Sequence, residues 1–540
     1  MNLPELPVLT PGQPLGEHQI ALVASGDSRL SANQAGWADQ DAMERTLAQV
    51  LRQRGYQLVR AHPVDAQKRH GFLDSQRAGM DTFQGLDPST RVIVAEAVWQ
   101  FSHHVLAGLQ FHRGPILTVA NWSGTAPGLV GLLNLNGSLT KFGVPYSSLW
   151  SSNFYDDFFL NGLEEWLATG HVTHDTSHVS PWQATGAAGE AVGRRVAEEI
   201  RQRKAILGVF DEGCMGMMNA IIDDSLLNRC GLFKERLSQS ALLAEMRDVR
   251  DTEAESALAW LLNEGMTFAW GTDEATELTR NQTIEQLKMY IAAVRMADRF
   301  ACDAIGIQYQ LGLADMCASS DLAEGLLNNP HRPPVHDRDG RELFAGRAVP
   351  HFNEADEGAG VDALVTDRVW TALGLDPSNT LHDLRYGEEY DGEFVWVLLI
   401  SGAAPASHFV GGYSGARSER QPPMYFRRGG GTLKGVSKPG GIVWSRVFIE
   451  NGELRVDLGL GDVRELPPEE TERRWDITTP QWPIMHCVLR GVSRDQMMGK
   501  HKSNHIHVAY APAEKLGEAL AAKAACFEAL GVRCFICGGV

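Results

Sequence analysis

Apolar and polar positions change rhythm along this chain. In the first part, short apolar runs at residues 18–25, 56–60, 91–98 and 115–120 read as buried strands, and a 3.6-residue pattern over 40–54 joins the first two as a βαβ unit. Such strands belong to an open, mostly parallel sheet whose ligand-binding groups lie at the strand C-termini, where Arg29, Trp99 and Asn121 fall. Residues 121–128 are expected to turn tightly into a packed apolar helix, and a polar stretch at 171–189 marks a boundary. A second block follows with a helix at 189–203, a strand at 205–210, helices at 253–264 and 277–300, and a strand at 303–310 that ends in Gln308 and Gln310. Beyond the Pro-rich linker at 328–334 come short strands at 394–401, 442–450 and 453–458, with Asn451-Gly452 as a hairpin turn. An Ala-rich amphipathic helix at 513–530 and a last strand complete the chain. The predicted fold is α/β: two Rossmann-like α/β domains, residues 1–175 and 176–350, followed by a β-rich, β-barrel-like α+β domain at 351–540.

Length and charge narrow the classes. A chain of 540 residues divides into several cores, and a net charge of −18 with no dense Lys/Arg run speaks against a nucleic-acid or membrane-surface partner. No apolar run is long enough to span a bilayer and no signal peptide opens the sequence, so a cytoplasmic protein is expected. The eight scattered cysteines fit reduced, buried thiols, and Cys534-Phe-Ile-Cys537 fits a core strand rather than a zinc or redox site.

The densest chemistry lies in His351-Phe-Asn-Glu-Ala-Asp-Glu357, just before a helix-like run. Glu354 is its leading candidate; Asp383 sits where a strand gives way to a turn, and Asn504-His505 opens another strand. Two carboxylates and one imidazole make a mixed oxygen/nitrogen set suited to Mn²⁺ or Mg²⁺ rather than to structural zinc. The plainer reading has Glu354 and Asp356 capping a helix and His505 as a hydrogen-bonded strand residue. The Gly429-Gly-Gly-Thr-Leu-Lys-Gly435 loop reads as a mobile hairpin or the rim of a site.

These features together resemble L-fucose isomerase and its relatives: two α/β blocks, a β-rich C-terminal block, Glu354-Ala-Asp356, Asp383-Leu-Arg385, Ser401-Gly after a strand, and Asn504-His505. The resemblance implies a hexameric, Mn²⁺-dependent aldose–ketose isomerase with metal ligands at Glu354, Asp383 and His505. It further implies sugar contacts from Arg29, Ser401, Asn504 and one of Gln308 or Gln310, with Trp99 supplied by a neighbouring subunit. In such an isomerisation Glu354 and Asp383 act as the acid/base pair around a cis-enediolate. The chain departs from the family at Ala355, at the added acid Glu357, and at Thr432, where the family's Gly-rich loop ends in tyrosine. If Glu357 points into the pocket it repels sugar acids and phosphates, which favours a neutral sugar. Two other classes compete: a metal-dependent lyase or hydrolase acting on a polyol or sugar acid, and a non-catalytic sugar-binding protein.

Overall fold

The computed structural model describes residues 5–10, 14–400 and 404–539. It is a mixed α/β structure with two larger parallel sheets, a two-stranded parallel pair and one larger mixed sheet. The first sheet contains β1 (Gln19–Val23), β2 (Gln57–Arg60), β3 (Val92–Glu96), β4 (Ile116–Asn121) and β5 (Ser147–Ser151), all parallel in the order β2-β1-β3-β4-β5. Continuous apolar runs produce this arrangement because a parallel sheet is covered on both faces. The helix after β1 is longer than its pattern predicts, Leu30–Arg52. Its first turns hold small and polar residues and no side-chain cap, so nothing in the local sequence announces the start.

β6 (Val179–Pro181) precedes the second parallel sheet, formed by β7 (Ala205–Phe210), β8 (Leu232–Leu237) and, after the short β9 (Thr267–Phe268), β10 (Ala304–Ile307). The strand expected to run to residue 310 stops at Ile307, leaving both glutamines in the turn beyond it. The helix Arg280–Arg299 begins at a capping box in which Thr279 and Gln282 satisfy each other's backbone N–H groups.

β11 (Asn379–Tyr390), β12 (Glu393–Leu399), β14 (Gly440–Glu450), β15 (Glu453–Val463), β16 (Ile484–Leu489), β17 (His505–Tyr510) and β18 (Arg533–Cys537) form the mixed sheet, while β13 (Arg417–Ser418) pairs with β9. The order β14-β17-β11-β12-β16-β15 closes into a ring because β15 also pairs along the whole of β14. At that hairpin Asn451 and Gly452 both take positive φ, 54° and 72°, as a turn matched to the strand twist requires. β18 continues the sheet from β15 and binds β6, and the helix Ala188–Arg203 lies against the helix Leu516–Leu530 so closely that a Cβ on Gly193 would meet the Ala522 carbonyl at 1.9 Å. The region around 179–203 is thus shared with the C-terminal sheet.

The helix Gly128–Lys141 locks the N-terminal sheet to the C-terminal block. It is buried around nearly its whole circumference, consistent with its apolar composition. Small residues permit the fit: a Cβ on Gly131 would stand 2.4 Å from the Val98 carbonyl, and one on Gly137 would stand 2.2 Å from that of Lys502. Trp122 adds a bond from Nε1 to the Gly387 carbonyl at 2.8 Å. The seven described cysteines are free and buried, those of the CxxC pair included. Among the described residues no helix is long and apolar enough to cross a membrane.

Candidate functional site

Glu354 enters from a turn in which it and Ala355 hold positive φ, 57° and 53°. Side chains other than Gly, Asn and Asp seldom adopt this conformation, which costs on the order of 1–3 kcal/mol per residue and marks a place that the surroundings over-determine. The helix Glu357–Leu373 starts immediately afterwards, capped by Asp356 Oδ1 accepting from the Ala359 N–H at 3.0 Å. Glu354 is therefore left outside the helix and turned into a cavity of about 220 Å³. Asp383 reaches the same cavity from β11, directly across from His505 on β17. A bulge in β11 between Leu384 and Tyr386 leaves Arg385 unpaired with β12, and its side chain also lines the cavity.

The imidazole is fixed from behind. His505 Nδ1 lies 2.6 Å from Asp356 Oδ2, which aims Nε2 at Asp383 Oδ1, 3.6 Å away, and at Glu354 Oε2, 3.8 Å away. The same Asp356 oxygen binds Arg446 Nη1 at 2.6 Å, with all three residues at most 1% exposed. Burial works to raise the Asp356 carboxyl, but Arg446 and His505 outweigh it and hold it below the usual range. Burial would lower the His505 imidazole, but the Asp356 hydrogen bond and charge leave it raised. The Glu354 carboxyl is pushed up to about 7, chiefly by burial, with Asp383 adding repulsion against the relief given by His505 and Arg29. Asp383 is also raised by burial, opposed by His505 and by the Asn504 Nδ2 bond to its Oδ1 at 3.0 Å. Burial lowers the Arg385 guanidinium to about 10; its nearest hydrogen-bond partners are the carbonyls of Ser123, Gly124 and Ala126.

Among the described residues no group of three or more His, Cys, Asp and Glu stands as a ready-made metal cage. Two carboxylates and an imidazole are donor types that suit a divalent ion; adjacent ligands of an octahedral ion at about 2.1 Å lie about 3.0 Å apart, so the 3.6 and 3.8 Å separations from His505 Nε2 would have to close on binding. An imidazole whose other nitrogen is held by a carboxylate is also the usual posture of a metal-ligating histidine.

The other predicted contacts divide. Arg29, Trp99, Gln310 and Asn504 line the cavity together with Glu354 and Asp383. Gln308 does not: it is fully buried, its carbonyl accepts from Gln239, and its Oε1 accepts from the Gln310 N–H at 3.2 Å. Ser401 lies outside the described residues. Thr432 is fully buried away from the cavity, since the Gly-rich loop is anchored rather than mobile: Gln286 binds both the N–H and the carbonyl of Gly431, at 2.9 and 2.8 Å. Glu357 faces neither pocket nor solvent; it is 1% exposed, binds Lys234 Nζ at 2.9 Å and accepts from the Ile222 N–H at 2.6 Å. Trp99, expected from a neighbouring subunit, lines the cavity of its own chain, packed with Val130, Met215 and Met217. Specific activity is accordingly expected to stay constant on dilution across any dissociation of an oligomer; a loss that follows dissociation in light scattering would contradict a site completed within one chain.

Sequence reasoning missed Tyr425, Met215 and Trp482 as cavity residues. Arg385 was visible in the Asp-x-Arg motif, but nothing local distinguishes Tyr425 or Trp482 from core aromatics. No protein-family model matches this chain, and no curated protein matches it.

Proposed function

We propose that this protein is a divalent-metal-dependent aldose–ketose isomerase of the L-fucose isomerase type. The observation that carries the reading is the meeting of Glu354 and Asp383, from separate segments, at one cavity, with His505 Nε2 3.8 and 3.6 Å from their carboxylates. A bound divalent ion, Mn²⁺ by resemblance, would be held by these three residues and would supply Lewis-acid polarisation of a sugar carbonyl. The chain's own residues do the rest. Glu354 takes the proton from the carbon next to the carbonyl and returns it to the neighbouring carbon. Asp383, steadied by Asn504, moves the hydroxyl proton between the two oxygens. Trp99, Pro127, Val130 and Trp482 give the cavity largely apolar walls around this exchange. A hexamer is part of the same proposal by resemblance, without a shared Trp99.

The preference for a neutral sugar loses its main support, because Glu357 is spent on Lys234. Arg385, which forms no ion pair among the described residues, favours a second reading in which the substrate is a sugar acid and the reaction a lyase or hydrolase step. Product analysis with a panel of aldoses, ketoses and sugar acids decides between them. Isomerisation of at least one neutral aldose is expected, abolished by EDTA and restored by Mn²⁺. Full turnover by metal-stripped protein would remove the metal from the mechanism, and products other than the paired ketose would replace isomerisation by the second reading.

A further inference from the structure

We infer that Tyr425, and not Arg29, is the residue on its side of the cavity that reads a ligand hydroxyl, with Arg29 acting as the positioning residue for Tyr425. The inference rests on the cavity being a sugar site, as proposed above, and it assigns a contact for which no motif spoke.

A guanidinium has five N–H donors. In Arg29, Nε donates to Asp27 Oδ1 at 2.8 Å and Nη2 to Asp27 Oδ2 at 2.5 Å. Nη1 donates to Gln310 Oε1 at 2.8 Å and to the Tyr425 carbonyl at 3.5 Å. Four donors are thus engaged within the protein, leaving one on Nη2. Asp27 is held in turn: its N–H donates to Asn33 Oδ1, and its carbonyl accepts from Asn33 Nδ2, both at 2.8 Å. Turning Arg29 toward a ligand would break a bidentate carboxylate pair on a side chain that is 2% exposed.

What Arg29 does do is hold the segment at 424–425. Its guanidinium carbon lies 4.8 Å from the centre of the Tyr425 ring, and Ser31 Oγ donates to the Met424 carbonyl at 3.0 Å. The ring is fixed by a cation–π contact of the kind that strengthens when desolvated. Its hydroxyl makes no hydrogen bond to any described residue, although Tyr425 lines both the main cavity and an adjoining one of about 80 Å³. A tyrosine with a wall-held ring and an unengaged O–H is built to donate to, or accept from, the hydroxyl of a polyol. Burial raises its ionisation, so it acts as a neutral phenol at neutral pH.

The test is equilibrium binding of a hexitol and its series of single-deoxy derivatives to full-length, Mn²⁺-loaded protein. Tyr425→Phe is expected to weaken the parent hexitol roughly tenfold and to leave one deoxy derivative, the one lacking the hydroxyl that Tyr425 reads, unaffected. Arg29→Met is expected to show the same pattern, and the double variant to bind no worse than either single, as residues acting through one contact do. The inference is overturned if Tyr425→Phe binds the series like wild type, if its loss is uniform across the series, if the double variant's losses add, or if wild type binds no hexitol. Hexitol binding with no aldose converted would instead defeat the isomerase reading and leave this assignment standing.

Discussion

Glu354→Gln is expected to lower kcat by roughly 10²–10⁴-fold, the range that removal of a general base produces, with the fold retained. The substitution keeps the side chain's size and the turn's backbone, and removes only the charge and the basicity. The same change has a second, opposite effect. Burial pushes the Glu354 carboxyl from 4.5 up to about 7, so the metal-free folded state binds this proton more tightly than the unfolded chain does. Stability from such a group is complete below the unfolded value and is lost as pH rises through the window up to the folded value. Metal-free Glu354→Gln should therefore melt at a higher temperature than wild type at pH 8 and close to it at pH 4. An unchanged kcat would remove Glu354 from the chemistry; a variant less stable than wild type at pH 8 would show that the carboxylate is well compensated where it lies.

Asp356→Asn is expected to cost about 3 kcal/mol or more of stability and to weaken Mn²⁺ binding by about 10–100-fold. Asn is as good an N-cap as Asp, so the helix Glu357–Leu373 keeps its start. What disappears is the single negative charge between Arg446 and His505, both buried. Arg446 has no other partner to absorb the loss, since its Nε and Nη2 are already without hydrogen bonds among the described residues. His505 loses the acceptor that orients Nε2 toward Glu354 and Asp383. Because the same carboxylate favours the protonated form of the metal-free imidazole, metal must compete with that proton, and wild-type Mn²⁺ affinity should fall as pH is lowered. Denaturant unfolding and metal titration check both parts. A variant with wild-type stability and wild-type Mn²⁺ affinity would reduce Asp356 to a helix cap.

Much of the scaffold is legible in the residues themselves, because the signals involved are local. The apolar runs that became β1 to β4 are continuous because both faces of a parallel sheet are covered, whereas β5, Ser147–Ser151, is rich in serine and is not among the expected strands. Asn451-Gly452 specified its hairpin through two positive φ angles, and Asp356 announced the helix behind it by capping chemistry. Asp383 is expected where a strand gives way to a turn, but it lies within β11, and the register with β17 places it opposite His505, which is expected at the start of its strand.

Only the tertiary structure decided which side chains share the cavity, and the reason is that this depends on partners far away in sequence. Glu357 looks like a pocket acid or a surface acid until Lys234, on β8, claims it. Thr432 looks like part of a mobile loop until Gln286 binds the backbone of Gly431 and draws the segment into the core. Gln308 and Gln310 are equal in sequence, but the strand ends at Ile307 and the turn buries the first while exposing the second to the cavity. Trp99 enters its own chain's site because glycines in the helix Gly128–Lys141 let the N-terminal sheet approach the C-terminal strands at backbone distance. Arg29 reads as a ligand-binding arginine by its place at a strand end, and becomes a positioning group once Asp27, Gln310 and Tyr425 have taken four of its five donors. Residue type and spacing limit what each side chain is able to do; hydrogen bonds that close across tens to hundreds of residues determine which of them are left with donors and charge to offer a ligand.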